Sequence, residues 1–218
     1  MGYRIIFIDE ERVQHEWFAE YLDRHNKGGI ENIIYLLPES SLEEMISIVD
    51  DNHPDAIIAD FMLNDMREDI NYNVPYTGVD IVQAYQYMRP LFPCFILTSK
   101  DDDALNESSD VNMVYLKGAL NEEKENVKVS FYDRVIRQIK AYRNSIDSAQ
   151  LEIEQLIEKR RLGMTSSPED QRLIDLDNFI ERSLDRESAI PDEMKKPDNF
   201  DKLSSMVAKL DELLNKLN

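Results

Sequence analysis

The chain has 218 residues, 42% hydrophobic and 32% charged, with a formal net charge of −19; that length suits one medium domain with an appendage, or two small domains. The acidity argues against nucleic acid, whose phosphates call for Lys/Arg stripes, and against an anionic membrane surface, while it suits a cation site or a basic protein partner. No apolar stretch is long enough to span a bilayer, and Ile5–Ile8 is too short for a signal peptide, so a cytoplasmic protein is expected.

Tyr3–Ile8 reads as an apolar strand that ends in Asp9-Glu10-Glu11. A helix is expected from about Val13 to His25, with Val13, Trp17, Phe18, Tyr21 and Leu22 on one face and Gly28-Gly29 as its stop. Asn32–Leu37 is a second strand, and the capping box Ser41-Leu42-Glu43-Glu44 opens a helix running to about Asp51. Asp55–Ala59 is a third strand that delivers Asp60 to its C-terminal edge; its apolar run without alternation suits a strand covered on both faces.

An irregular polar stretch, Asn64 to Thr77, comes next and reads as a surface insertion, a lid or a partner contact. Gly78 leads a third helix closed by Arg89-Pro90, and Pro93–Thr98 is a fourth strand containing the lone Cys94, expected as a buried packing residue in a reducing compartment. Asp101–Asp110 is long enough for two or three helical turns, its three leading acids suiting a helix start. Asn112–Leu116 is a fifth strand followed by Lys117-Gly118. Strands alternating with helices predict βα units, a parallel sheet and right-handed crossovers. His15, His25 and His53 are scattered and read as surface or helix-end residues.

The chemistry-bearing residues collect at strand ends: Asp9, Glu10 and Glu11 after the first, Asp60 after the third, Thr98-Ser99 after the fourth, Lys117 after the fifth. In a doubly wound sheet these edges face one crevice. Clustered carboxylates repel one another unless a hard cation sits among them, and Mg²⁺ prefers oxygen ligands together with phosphate. A carboxylate beside such a cation can accept a phosphoryl group, whose charge a lysine and a hydroxyl would stabilise.

On Ile8-Asp9-Glu10, Ile58-Ala59-Asp60, Leu97-Thr98-Ser99 and Leu116-Lys117, in that order and spacing, residues 1–145 resemble the response-regulator receiver domain of two-component signalling. The resemblance implies a flavodoxin-like (βα)5 fold with strand order 2-1-3-4-5. It implies that Asp60 is the phosphoacceptor, that Asp9, Glu10, Asp60 and the backbone carbonyl of Met62 bind Mg²⁺, that Thr98 is the switch hydroxyl with Ser99 beside it, and that Lys117 pairs with phosphoryl oxygens. Two positions differ from the family pattern: Gly118 stands where proline usually follows the lysine, and Val114 stands where an aromatic switch residue often lies, with Tyr115 expected on the opposite face.

From Phe131 the chain reads as continuous helix to Gly163, with Val135, Ile139, Tyr142, Ile146, Ala149, Ile153 and Leu156 as a heptad-like stripe. Such a helix, on the order of 45 Å long, outruns the sheet and needs a cover for its distal half, either a second copy or the remaining chain. Ser167-Pro168-Glu169-Asp170 starts another helix carrying Leu173, Leu176, Phe179, Ile180 and Leu184. Ile190–Asp198 is a linker, and Phe200–Leu217 is a last amphipathic helix, giving a helical hairpin or three-helix extension.

The expected organisation is therefore a receiver core over residues 1–128, an extended helix over 129–163 and a helical module over 164–218. The module has no histidine, no helix-turn-helix pattern and no phosphate loop, so protein–protein interaction is its expected output. The leading expectation is a response regulator phosphorylated on Asp60 by a histidine kinase or His-phosphotransfer protein, forming a homodimer and acting on a further protein. The alternatives are a dimeric receiver-like scaffold that is not phosphorylated, and a Mg²⁺-dependent phosphohydrolase, which Met62 disfavours because it occupies the place of a second catalytic acid.

Overall fold

Five short runs rich in isoleucine, valine and phenylalanine pair side by side in the computed structural model, which describes residues 2–25, 27–64, 69–99, 111–120 and 129–184. They are β1 (Tyr3–Ile8), β2 (Ile30–Leu36), β3 (Ala56–Asp60), β4 (Cys94–Thr98) and β5 (Val114–Leu116), all parallel, in the order β2-β1-β3-β4-β5. This is the flavodoxin-like order, with its switch point between β1 and β3. The three strands interior to the sheet are buried almost throughout, as strands covered on both faces require.

The helices are α1 (Arg12–His25), α2 (Leu42–Asp51), α3 (Gly78–Met88), a short α4 (Lys117–Leu120), α5 (Phe131–Arg161) and α6 (Ser167–Leu184). Several starts have a local cause. The hydroxyl of Ser41 accepts from the Glu44 N–H at 3.2 Å at the start of α2. Thr77 and Asp80 form a reciprocal capping box at α3, and Ser130 with Asp133 does the same at α5. Gly28, at φ +85°, turns the chain after α1 as only a residue without a side chain does readily.

The chain divides into two units, Met1–Arg143 and Asn144–Asn218. In the first, alternate sheet residues go to opposite layers. Ile5, Phe7, Ile58, Phe95 and Leu97 join Phe18, Tyr21 and Leu22 of α1 and Phe131, Val135 and Ile139 of α5 in one core. Ile6, Ile57, Ala59 and Ile96 lie buried on the other face, where α2 and α3 bring Met45, Val49, Ile81 and Val82. Cys94 is buried, as its apolar neighbours predict.

In the second unit the distal part of α5 and α6 form an antiparallel pair. Arg172 meets Glu152 with two hydrogen bonds of 2.8 Å, and Lys159 pairs with Glu169. Ala149, Leu173, Ile174 and Leu176 are buried. The turn after α5 is a Schellman motif: Gly163 N–H donates to the Arg160 carbonyl at 2.9 Å and Met164 N–H to Lys159 at 3.1 Å, with Gly163 at φ +68°.

Two expectations are corrected. Val13 is 62% exposed, because at 100° per residue it lies about 130° from the centre of the face formed by Phe18, Tyr21 and Leu22. Trp17, from the same expected face, is half-buried and does pack against the core. The fifth strand is three residues long: Asn112 and Met113 belong to a 3₁₀ turn, and pairing reaches only Ile96, Leu97 and Thr98 of β4. The expected helix at Asp101–Asp110, the linker Ile190–Asp198 and the last helix Phe200–Leu217 lie outside the described residues. Among the described residues no helix is long and apolar enough to cross a membrane.

Candidate functional site

Parallel strands end together, so the residues at and just past their C-terminal ends share one edge of the sheet. Asp9 succeeds β1, Asp60 closes β3, Thr98 closes β4 and Lys117 succeeds β5. Among the described residues the buried polar or charged side chains are Asp9, Glu10, Asp60, Thr98 and Ser183, so four of the five gather at this edge. Burying carboxylates is costly without partners; both oxygens of Asp9 and of Asp60 have them, whereas Glu10 Oε2 is buried with no hydrogen-bond donor.

The Lys117 ammonium donates to Asp9 Oδ2 at 2.8 Å and lies 2.7 Å from Asp60 Oδ1. Asp9 Oδ1 accepts from the Glu11 N–H at 3.0 Å, and Asp60 Oδ2 accepts from the Met62 N–H at 3.1 Å. Each oxygen of the two aspartates therefore has one donor. The Met62 backbone is thus tied to Asp60 through its amide. Glu10 completes the cluster: one ligand atom each from Asp9, Glu10 and Asp60 lie within 4.8 Å of one another.

Three carboxylates facing one ammonium leave a local excess of negative charge. Burial pushes the Asp60 carboxyl up to about 6, with the Asp9 charge adding to the shift and Lys117 opposing it. Burial also raises Asp9, again against Lys117. For Lys117, burial disfavours the charged form, but the charges of Asp60 and Asp9 and its hydrogen bonds to both outweigh it, so its value is raised. These all-oxygen donors and their charge deficit fit a hard divalent cation such as Mg²⁺, which Asp9, Glu10 and Asp60 could hold.

The backbone around Asp60 is fixed on both sides. Phe61 N–H donates to the Leu97 carbonyl at 2.8 Å, and Gly78 N–H, at the start of α3, donates to the Phe61 carbonyl at 3.0 Å. A Cβ placed on Gly78 would lie 2.0 Å from the Asp60 carbonyl oxygen. Gly78 is therefore a site residue by contact, one the sequence offered only as a helix start.

His15 also belongs to this neighbourhood, although nothing in its spacing suggests it. Its Nε2–H donates to the Asp9 carbonyl at 3.2 Å, its ring stacks on Tyr35 with centroids 5.2 Å apart, and burial lowers its pKa. Ser99 is exposed beside buried Thr98. Tyr115 packs on the α5 side, 5.0 Å from the Phe131 ring, so the aromatic of β5 faces away from Val114. Gly118 lies inside α4 rather than in a left-handed turn.

The described part of the 64–77 insertion is anchored. Ile70, Val74 and Tyr76 are buried. The hydroxyls of Tyr72 and Tyr76 donate to the carbonyls of Pro38 and Glu39, each at 2.7 Å, in the loop after β2. Asp69 Oδ2 accepts from the Arg12 N–H at 3.1 Å at the start of α1.

No protein-family model matches the chain. No curated protein matches it either. Solved structures similar to it include a fusion carrying a yeast Spc42 trimeric coiled coil, 16% identical over 76% of this chain and 98% of that one, TM-score 0.46. A protein described as a response regulator from Chloroflexus aurantiacus is 16% identical, over 65% and 98%, TM-score 0.41. NtrX from Brucella abortus is 13% identical, over 69% of this chain and 30% of that one, TM-score 0.43.

Proposed function

We propose that the chain is a response regulator that accepts a phosphoryl group on Asp60 and signals through protein–protein contacts. The observation that carries this is the Lys117 ammonium held between Asp9 and Asp60 at the carboxyl edge of a 2-1-3-4-5 sheet, with Glu10 in the same cluster.

In the proposed reaction, a carboxylate oxygen of Asp60 forms a bond to phosphorus as the bond from phosphorus to a donor imidazole nitrogen breaks. The electron pair leaves with that nitrogen, which takes a proton from water. Lys117, already beside Asp60 Oδ1, pairs with a phosphoryl oxygen, and Thr98 supplies a hydroxyl to another. Asp9, Glu10, Asp60 and the Met62 carbonyl would hold Mg²⁺, which would supply positive charge to offset that of the transferring oxygens. The donor is a histidine kinase or His-phosphotransfer protein.

Phosphorylation then biases a two-state equilibrium at Thr98 and the neighbouring face. The receiver core, residues 1–128, leads through the 129–163 helix to the 164–218 module, which serves a homodimer and a downstream protein in the cytoplasm. The net charge of −19 favours protein rather than nucleic acid as the target.

The test is intact-protein mass spectrometry with acetyl phosphate and Mg²⁺, and sedimentation with beryllofluoride and Mg²⁺, each against Asp60→Asn. A single phosphoryl adduct absent from Asp60→Asn is expected, with a change in oligomeric state. A wild type left unmodified and unchanged by both reagents removes the proposal.

A further inference from the structure

We infer that Asp69, on the insertion between β3 and α3, is a positioning residue for the cation-binding acids Asp9 and Glu10. The inference rests on the cation site proposed above and adds a residue lying 59 positions beyond Glu10 in the chain.

Asp9 and Glu10 occupy the short turn between β1 and α1. Their direction depends on how that turn is held. Two backbone N–H groups lie at its far end, before the helix can supply carbonyls to accept them. The Glu11 N–H is taken by Asp9 itself. The Arg12 N–H has its acceptor in Asp69 Oδ2 at 3.1 Å, and the Arg12 Nε adds a longer contact of 3.6 Å to Asp69 Oδ1. The first turn of α1 is thus capped from another loop.

The described residues around Asp69 are anchored. Ile70, next to Asp69, is 3% exposed, and Val74 and Tyr76 are buried behind it. Tyr72 and Tyr76 fasten the same stretch to Pro38 and Glu39. The Asn64 side chain accepts from the Val74 N–H at 3.4 Å. Asp69 therefore joins the loop after β3, which begins beyond Asp60, to the turn that carries Asp9 and Glu10. The two arms of the acid cluster are linked a second time, outside the sheet.

The geometry separates this role from a surface charge pair. The ion pair is long and exposed, with the Arg12 side chain 71% accessible, and pairs of that kind contribute little. The backbone hydrogen bond is the functional contact. Removing the Arg12 side chain should matter little, and removing the Arg12 N–H should matter as much as removing the Asp69 carboxylate. Proline at position 12 does the latter cleanly, because the first position of a helix accepts it.

The experiment is calorimetric titration of the full chain with Mg²⁺, with thermal unfolding of each variant in Mg²⁺-free buffer as a companion. Asp69→Ala is expected to weaken Mg²⁺ binding by about 5- to 10-fold, below the range typical of groups bonded directly to a ligand. Arg12→Pro is expected to match it, and the double variant to be no weaker than either single one, since both remove one contact. Asp69→Asn, whose amide oxygen still accepts, and Arg12→Ala are expected to stay within about 2-fold of wild type. Unfolding temperatures should stay within about 4 °C of wild type, the scale of one lost helix cap in a chain of this length.

Asp69→Ala or Arg12→Pro binding Mg²⁺ like the wild type overturns the inference while leaving the cation site intact. Additive losses in the double variant, or Asp69→Asn as weak as Asp69→Ala, overturn it in favour of a charge effect. A wild type that binds no Mg²⁺ overturns the cation site and this inference together.

Discussion

Replacing Gly78 by alanine tests whether the backbone packing around Asp60 is as tight as it stands. The new Cβ would lie 2.0 Å from the Asp60 carbonyl oxygen, 2.9 Å from the Asp60 carbonyl carbon and 3.2 Å from the Ala59 Cβ. Contacts of a Cβ under 3.0 Å essentially do not occur, so α3 and the end of β3 must part by roughly 1 Å or more, since interiors this dense leave no slack. Neither the oxygen nor the carbon can swing away, because both are backbone. Overpacking of this kind costs about 1–3 kcal/mol, sometimes more, and the gain from replacing glycine in a helix offsets at most about 1 kcal/mol. A net loss near 2 kcal/mol should lower the unfolding temperature by about 4–8 °C for a protein of this size. Gly118→Ala is the matched control: Gly118 lies within α4, and a Cβ there would meet nothing within 4 Å. That change should be neutral or stabilising by up to about 1 kcal/mol. Thermal unfolding followed by circular dichroism measures both. The reasoning is refuted if Gly78→Ala and Gly118→Ala unfold at the same temperature.

Three other features lead to measurable outcomes. Asp60 keeps its proton to about pH 6 when folded against an ordinary 3.8, so the folded state binds more protons between those values and its stability falls as pH rises through them. Without divalent cation, the stability of Asp60→Asn relative to wild type should therefore grow by about 2.4 kcal/mol between pH 4 and pH 7, measured by urea unfolding; a difference flat with pH contradicts the shift. Tyr76→Phe removes a partly buried 2.7 Å hydrogen bond to the Glu39 carbonyl and should cost about 1 kcal/mol in the same assay. Gly163→Ala places a side chain at φ +68° in open space, so its cost of about 1 kcal/mol is conformational, and thermal unfolding should detect it.

The acid cluster was legible because strand ends are legible. Once Tyr3–Ile8, the run ending at Asp60 and the run ending at Thr98 are recognised as parallel strands, their C-terminal residues must share an edge, whatever the loops do. Lys117 was legible for the same reason, although its strand is shorter than its apolar run suggests. His15, Gly78 and Asp69 were not legible. His15 reaches the Asp9 carbonyl across a turn, and one histidine on a helix carries no period. Gly78 looks like any glycine at a helix start until the distance to the next strand is known. Asp69 caps a helix 57 residues away, and capping is readable only when cap and helix adjoin in sequence. Val13 misled because four-residue spacing drifts by about 40° per step, so it parts from Phe18 and Leu22 on the far side of the turn.

The brevity of β5 bears on the charge balance of the acids. Lys117 sits directly after a strand that holds to the sheet through only three residue pairs, at its edge, whereas Asp9 and Asp60 end strands flanked on both sides. Short edge elements open at lower free energy than a central sheet. The amides of Val114–Leu116 should thus exchange hydrogen ahead of those in β1 and β3. Such an opening would carry the ammonium away and leave the three carboxylates of the cluster to be met by a proton or a cation from solvent. The counter-charge of the site thus hangs on the sheet's shortest strand, while the aspartates it balances stand at the ends of interior ones.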